Sequence, residues 1–231
     1  MVGSTIPTFL ASRRFKGGLT ASSLGILMLW AAPPSHAQEV EIRRWNHLPI
    51  NTNFLTTNYA YTEGDIAVDP TLRLEGVSVE LETWLLGYIR TFELFDKTAR
   101  LEVRQAWQSG TWDGLVDDEP RTVNRNGASD TFARFSMNFI GAPPLSGKAF
   151  AEYRSRTKVE TNLGAALSVQ LPTGQYFEDK LVNLGTNRFT FSPQFGFYQR
   201  LHQWSFEATA IGRFYTDNDS FFGGKRREQD P

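Results

Sequence analysis

No cysteine occurs in the chain. Disulfide bonds are therefore excluded, and a protein exported to an oxidising compartment has to gain its stability from a core, a partner or a closed sheet. A metal site is not indicated either, because His47 and His202 have no cysteine or carboxylate at ligand spacing. We therefore predict neither a metal nor another cofactor.

Long apolar runs are also scarce. One apolar stretch, from about Leu19 to Ala32, has roughly 14 residues, whereas a membrane-spanning helix needs about 20. Three basic residues between positions 13 and 16 precede this stretch, and the small-x-small site Ser35-His36-Ala37 follows it, which is typical of an export signal. We predict a signal peptide over residues 1–37, cleaved after Ala37, and one domain over residues 38–231.

The chain lacks an excess of basic residues. It has 24 Lys and Arg against 25 Asp and Glu. After the export signal, the basic residues alternate with acidic ones instead of forming a basic stripe. This arrangement argues against a nucleic-acid partner.

What the sequence does contain is an alternation of apolar and polar residues with a period of two. Because successive side chains of a strand point to opposite faces, such a segment presents one apolar and one polar face. The segment 204–214 is about long enough to cross a membrane as a tilted strand. In the segment 204–214, the polar face carries Ser205, Glu207, Thr209 and Arg213.

Seven strands follow from this pattern, over residues 53–61, 79–92, 99–109, 130–140, 157–171, 189–201 and 204–214. A short helix is predicted from Ser146 to about Arg154, because serine is a favoured N-cap residue. Long connections near residues 63–77, 110–129, 172–188 and 216 onward alternate with mostly shorter ones near 95–98, 141–156 and 202–203. Outer-membrane barrels show this alternation, with the short turns on the periplasmic side.

Behind an export signal, the strand pattern predicts an all-β fold, an antiparallel up-and-down transmembrane β-barrel in the bacterial outer membrane. In lipid every backbone N–H and C=O has to be paired, and a closed sheet pairs all of them. Bacterial single-chain barrels have an even number of strands, so we expect the sequence to be truncated at its C-terminal end. A periplasmic β-sandwich is the soluble alternative. The expected partners are outer-membrane lipid, a small-molecule solute, and periplasmic chaperones and the barrel-assembly machinery during biogenesis.

Four loop motifs occur in the C-terminal part, at residues 172–176 (PTGQY), 181–188 (LVNLGTNR), 214–224 (FYTDNDSFFGG) and 229–231 (QDP). With these motifs the chain resembles, from about Arg43 onward, the outer-membrane transporter family named for the MetA pathway of phenol degradation. The resemblance implies a barrel that passes small, often aromatic or hydrophobic compounds, and it supplies no catalytic residues. A structural or adhesive barrel without transport activity is the alternative.

An enzyme is not indicated by the residues themselves. A barrel hydrolase or acyltransferase needs a nucleophile that a base activates. His47 precedes the first strand and His202 lies in a turn, so neither has an inward strand position beside a serine. We therefore expect no catalytic site.

The polar faces of the strands form the candidate site. In strand two the phase is ambiguous, and we place Trp84, Tyr88 and Arg90 inward because an arginine is disfavoured in lipid. Rows of opposed charges across a lumen select solutes by size and charge, but they also form ladders that merely fill a closed interior, and both interpretations stay open. The lumen-lining candidates are Arg90, Arg100, Glu102, Arg104, Arg134, Asn138, Lys158, Glu160, Gln194, Arg200, Glu207 and Arg213.

Overall fold

An antiparallel sheet that curls into half a barrel dominates the fold. The computed structural model describes residues 44–66, 74–222 and 225–227. The predicted signal peptide over residues 1–37 lies outside these described residues.

Within the described residues, the strands and the helix follow one another along the chain. They are β1 (Asn53–Asp65), β2 (Leu74–Leu94), β3 (Lys97–Val116), β4 (Glu119–Ala128), β5 (Thr131–Ile140), α1 (Gly147–Arg156), β6 (Val159–Leu171), β7 (Thr190–Leu201), β8 (Trp204–Ile211), β9 (Phe214–Tyr215), β10 (Asn218–Phe221) and β11 (Lys225–Arg227).

The main sheet is an up-and-down meander. Strands β1, β2, β3, β5, β6, β7 and β8 lie side by side in chain order, while β4 also pairs with β3 and β9 also pairs with β7. All of these pairs are antiparallel. The prediction of an antiparallel up-and-down sheet with seven strand positions is therefore confirmed. A separate two-stranded sheet pairs β10 with β11.

The two faces of the main sheet are opposite in chemistry. Glu102 of β3 lies opposite Arg134 of β5, and both are buried. The neighbouring pair, Leu101 and Phe135, points to the other side, where 44% and 39% of these residues is exposed. We call the side with Glu102 the inner face and the side with Leu101 the outer face. Buried polar groups on one side and exposed large apolar groups on the other invert the arrangement of a soluble protein.

The sheet is longer than the sequence predicts at the end with the long connections. The prediction of a loop over residues 110–129 is wrong, because β3 continues to Val116 and β4 returns along it. Asp117 and Asp118 form the turn between them, with φ angles of 51° and 64°, which is the left-handed backbone of a tight hairpin turn. Between the pairs Trp107–Ala128 and Arg104–Phe132 the returning strand has one more residue than β3, which is a β-bulge.

The predicted phase of β2 is wrong. Tyr88 lies opposite Val103 and Arg90 lies opposite Leu101, which places both side chains on the outer face, and Trp84 shares that face because it lies opposite Trp107. The guanidinium of Arg90 donates to Asn53 Oδ1 over 2.9 Å. Because a long side chain near a strand end reaches polar partners, an arginine is tolerated there on the outer face.

The predicted helix is present as α1, which begins after Ser146. The serine occupies the N-cap position without a hydrogen bond from its side chain. In the part of the chain that the structure describes, no helix has the length and apolar character needed to cross a membrane.

The last predicted strand is divided into β8 and β9. Pro193 of β7 faces the gap between them, and it has no N–H to donate to the ladder. The Gly212 N–H still donates to the Pro193 carbonyl over 3.0 Å, and the register is the same on both sides of the gap. Arg213 therefore lies opposite Ser192 without a ladder pair.

Candidate functional site

The centre of the inner face is a carboxylate between two guanidinium groups. Arg134 donates to Glu102 from the neighbouring strand, and Arg104 Nε lies 3.0 Å from Glu102 Oε1. Arg104 also lies over the ring of Phe132, 4.1 Å from its centroid. A buried charge is costly unless it is paired. The contacts between Glu102, Arg104 and Arg134 therefore stabilise their charged side chains on this face.

A second buried carboxylate belongs to Glu160, at the start of β6. Its oxygens lie 3.0 Å from Arg154 of α1, 3.2 Å from Arg200 of β7, and 3.1 Å from His47 Nδ1. The pKa of the Tyr153 phenol on α1 is raised, mainly by burial and secondly by the negative charge of Glu160. The cluster therefore ties the helix, two strands and the segment before β1 to one charged group.

His47 has a partner that local spacing does not reveal. Glu160 is 113 positions away in the chain, and the other ring nitrogen, Nε2, lies 2.8 Å from the Pro143 carbonyl oxygen. The rings of Phe150 and Tyr153 on α1 meet the imidazole edge-on, at 4.9 and 5.1 Å. Glu160 is therefore a carboxylate partner that spacing along the sequence does not predict. Within the described residues, no group of three His, Asp or Glu could hold a metal ion.

Asp130 is a third carboxylate with several partners, and it organises the loop that follows β6. Its carboxylate accepts hydrogen bonds from the backbone N–H of Gly174 (2.9 Å), from the N–H and hydroxyl of Thr186 (2.9 and 2.7 Å) and from the amide of Gln170 (3.0 Å). A Cβ on Gly174 would come within 2.7 Å of the Cα of Gly185, so both motif glycines are required for this close approach. Two of the quoted loop motifs therefore meet at one aspartate.

The segment before β1 lies on the inner face of the sheet. We call residues 44–50 the N-terminal segment. Arg44 donates to Gln194 of β7 over 2.7 Å, and the backbone N–H of Trp45 donates to Glu207 of β8 over 3.2 Å. The backbone carbonyl of Trp45 accepts from Asn162 of β6 over 3.1 Å. Sequence reasoning missed this arrangement because no local pattern reports contacts between such distant positions.

The predicted lumen residues fall into three groups. Arg90 is on the outer face, and its prediction as an inward residue is wrong. Lys158 precedes β6 and is exposed, and Arg213 lies between β8 and β9 and is exposed. Register and burial place the remaining nine on the inner face, where their role in lining a lumen stays a prediction: Arg100, Glu102, Arg104, Arg134, Asn138, Glu160, Gln194, Arg200 and Glu207.

The fold has a counterpart among solved structures. The crystal structure of the COG4313 outer membrane channel from Pseudomonas putida F1 matches with a TM-score of 0.57 and 20% sequence identity, covering 83% of this chain and 67% of that one. At this identity the match shows a shared fold. No curated protein matches the chain by sequence.

The sequence also matches a protein family over most of its length. The family is described as "Putative MetA-pathway of phenol degradation", and the match spans residues 56–230, which confirms the resemblance read from the loop motifs. The match includes β2 to β11 and the loop organised by Asp130. The chain belongs to this family.

Proposed function

We propose that the protein is an outer-membrane channel for small solutes, aromatic or hydrophobic compounds among them. The observation that carries the proposal is the inversion of the sheet, with ionised side chains buried on the inner face and large apolar side chains exposed on the outer face. An apolar outer face fits hydrocarbon, and a polar inner face fits an aqueous passage. The shared fold with an outer membrane channel supports the same conclusion.

The proposed location follows from the same surfaces. Outer-membrane lipid is the partner of the outer face, where Phe195 and Phe206 are 65% and 56% exposed. Export through a signal peptide cleaved after Ala37 delivers the chain to the periplasm, where chaperones and the barrel-assembly machinery receive it. We expect transport by passage along the inner face, without a catalytic step.

The solute class rests on two features. The family is described by a phenol-degradation pathway, and the inner face presents the Phe132 ring beside the Arg104 and Arg134 guanidinium groups. An aromatic ring with adjacent cations suits solutes that combine a ring with a partial or full negative charge, such as phenols and benzoates.

Reconstitution of the protein expressed from its complete gene tests the proposal. We expect stepwise conductance in planar bilayers, and swelling of liposomes in isotonic arabinose or sodium benzoate at pH 8, at which benzoate is ionised and crosses lipid slowly. Liposomes without protein are the control. If correctly folded protein gives no conductance and no swelling, the channel proposal is contradicted. The structural or adhesive barrel is then the better account.

A further inference from the structure

We propose that the N-terminal segment, residues 44–50, is a built-in constriction that sets the largest solute the channel passes. This inference rests on the proposed channel function. The segment contacts β3, β6, β7 and β8 on the inner face, so its atoms occupy space that a solute would otherwise use.

Trp45 has a seat built for its ring. Gly164 of β6 and Gly196 of β7 lie opposite each other, and the indole covers both. A Cβ on Gly196 would overlap the ring, and a Cβ on Gly164 would come within 2.8 Å of it. Only glycine at both positions lets the ring lie against the sheet, and Trp45 is 1% exposed as a result. The indole N–H donates to the Thr209 hydroxyl over 2.9 Å, which satisfies its one polar group.

The backbone of the segment is held by side chains of the strands. Arg100 of β3 donates to the Arg44 carbonyl over 2.9 Å, and Trp45 uses both its N–H and its carbonyl in bonds to Glu207 and Asn162. A polypeptide that trailed through water would leave these groups to solvent. Because three strands supply the partners, the segment has one defined position on the inner face.

The other end of the segment is anchored beside α1. Both ring nitrogens of His47 lie within hydrogen-bond distance of an oxygen atom, one of the Glu160 carboxylate and the other of the Pro143 carbonyl. The Ile50 N–H donates to the Leu145 carbonyl over 2.9 Å. Trp45 packs on β6 and β7, His47 contacts Glu160, and Ile50 is bonded to Leu145, so the segment is held along its length as a fixed obstacle.

The experiment compares Trp45→Ala with Trp204→Ala in the protein expressed from its complete gene. Trp204 lies on the outer face of β8 and is 66% exposed. Trp204→Ala therefore removes the same side-chain volume as Trp45→Ala but leaves the inner face unchanged. Swelling rates of proteoliposomes are measured in arabinose, glucose, sucrose and raffinose. In Trp45→Ala we expect the sucrose and raffinose rates to rise several-fold relative to arabinose, with a higher single-channel conductance. Trp204→Ala should keep the wild-type profile.

A deletion of residues 44–48 provides the second variant, and it should admit raffinose at least as readily as Trp45→Ala does. If the deletion does not insert, Trp45→Ala decides the question alone. An unchanged size profile in folded Trp45→Ala, with a conducting wild type, overturns the constriction but leaves the channel intact. A wild-type protein that passes none of these solutes overturns the proposed function and this inference with it.

Discussion

His47 Nδ1 lies 3.1 Å from Glu160 Oε1, and both side chains are essentially inaccessible to solvent. The same carboxylate also holds Arg154 and Arg200. One buried charge therefore joins the N-terminal segment, α1, β6 and β7. Removing it leaves the guanidinium groups of Arg154 and Arg200 close together without this counter-charge.

Replacing Glu160 by glutamine should destabilise the folded protein. Loss of one partner from a fully buried ion pair typically costs about 3–5 kcal/mol. We expect a smaller cost here, because the side chain of Arg154 is 29% exposed and that of Arg200 is 14% exposed. The guanidinium concentration at the midpoint of unfolding should fall. The folded fraction is measured by gel electrophoresis, because a folded barrel changes its mobility on heating. Glu119→Gln is the matched control, since Glu119 pairs with Arg121 at a site where both side chains are largely exposed. Equal midpoints for the two variants would count against the Glu160 cluster as an anchor.

Gly196→Ala should be far more costly than Gly212→Ala. The added methyl group at 196 overlaps the ring of Trp45, whereas at 212 its nearest neighbour is 3.4 Å away. Overpacking of this kind costs about 1–3 kcal/mol, so we expect a lower unfolding midpoint for the first variant and a near wild-type midpoint for the second. Similar midpoints would show that the Trp45 seat is not tightly packed.

The charge balance of the inner wall predicts an anion preference. The inner face of β3 and β5 carries three arginines, Arg100, Arg104 and Arg134, but one glutamate, Glu102. Rows of guanidinium groups favour anions in a narrow passage. The reversal potential in a KCl gradient should indicate anion selectivity, and Arg104→Gln should shift it towards cations.

Arg90→Gln is the control for this charge test. It removes the same charge from the outer face of the adjacent strand, and it should leave the reversal potential unchanged. A shift of equal size in both variants would contradict the assignment of the two faces.

Loss of the Asp130 carboxylate should release the loop over residues 172–188. In Asp130→Ala the backbone N–H groups of Gly174 and Thr186 lose a charged acceptor, and such hydrogen bonds are worth about 1.5–3 kcal/mol each. We expect tryptic cleavage after Lys180 to become several-fold faster. Mass spectrometry of the fragments measures this rate. Glu178→Gln changes an exposed carboxylate in the same loop and should not alter the rate. Unchanged cleavage in Asp130→Ala would show that the loop has other anchors.

The strand positions could be predicted because the two faces meet different surroundings. Leu101, Glu102 and Val103 alternate strictly, and the sheet places them alternately on its outer and inner faces. β4 has no such signal, because most of its residues are exposed whichever way they point, and the sequence therefore predicts a loop there. In β2 the general rule that arginine avoids lipid gave the wrong phase, since Arg90 has a polar partner in Asn53.

The candidate site was predictable as a face but not as a set of contacts. Alternation places Glu102 and Arg134 on one side, yet the ion pair between them depends on the register of β3 and β5. The N-terminal segment was beyond prediction, because the sequence Arg44-Trp45-Asn46-His47 has no periodicity and its partners are found only in the folded sheet.

The Trp45 contacts also constrain the order of assembly. Its N–H and indole bonds reach Glu207 and Thr209, which follow 162 and 164 positions later in the chain. These contacts form only when residues far apart in the chain meet, and pairings this distant in sequence form slowly. Trp45 can therefore complete its contacts only once β8 has joined the sheet, which makes its burial a late event in folding.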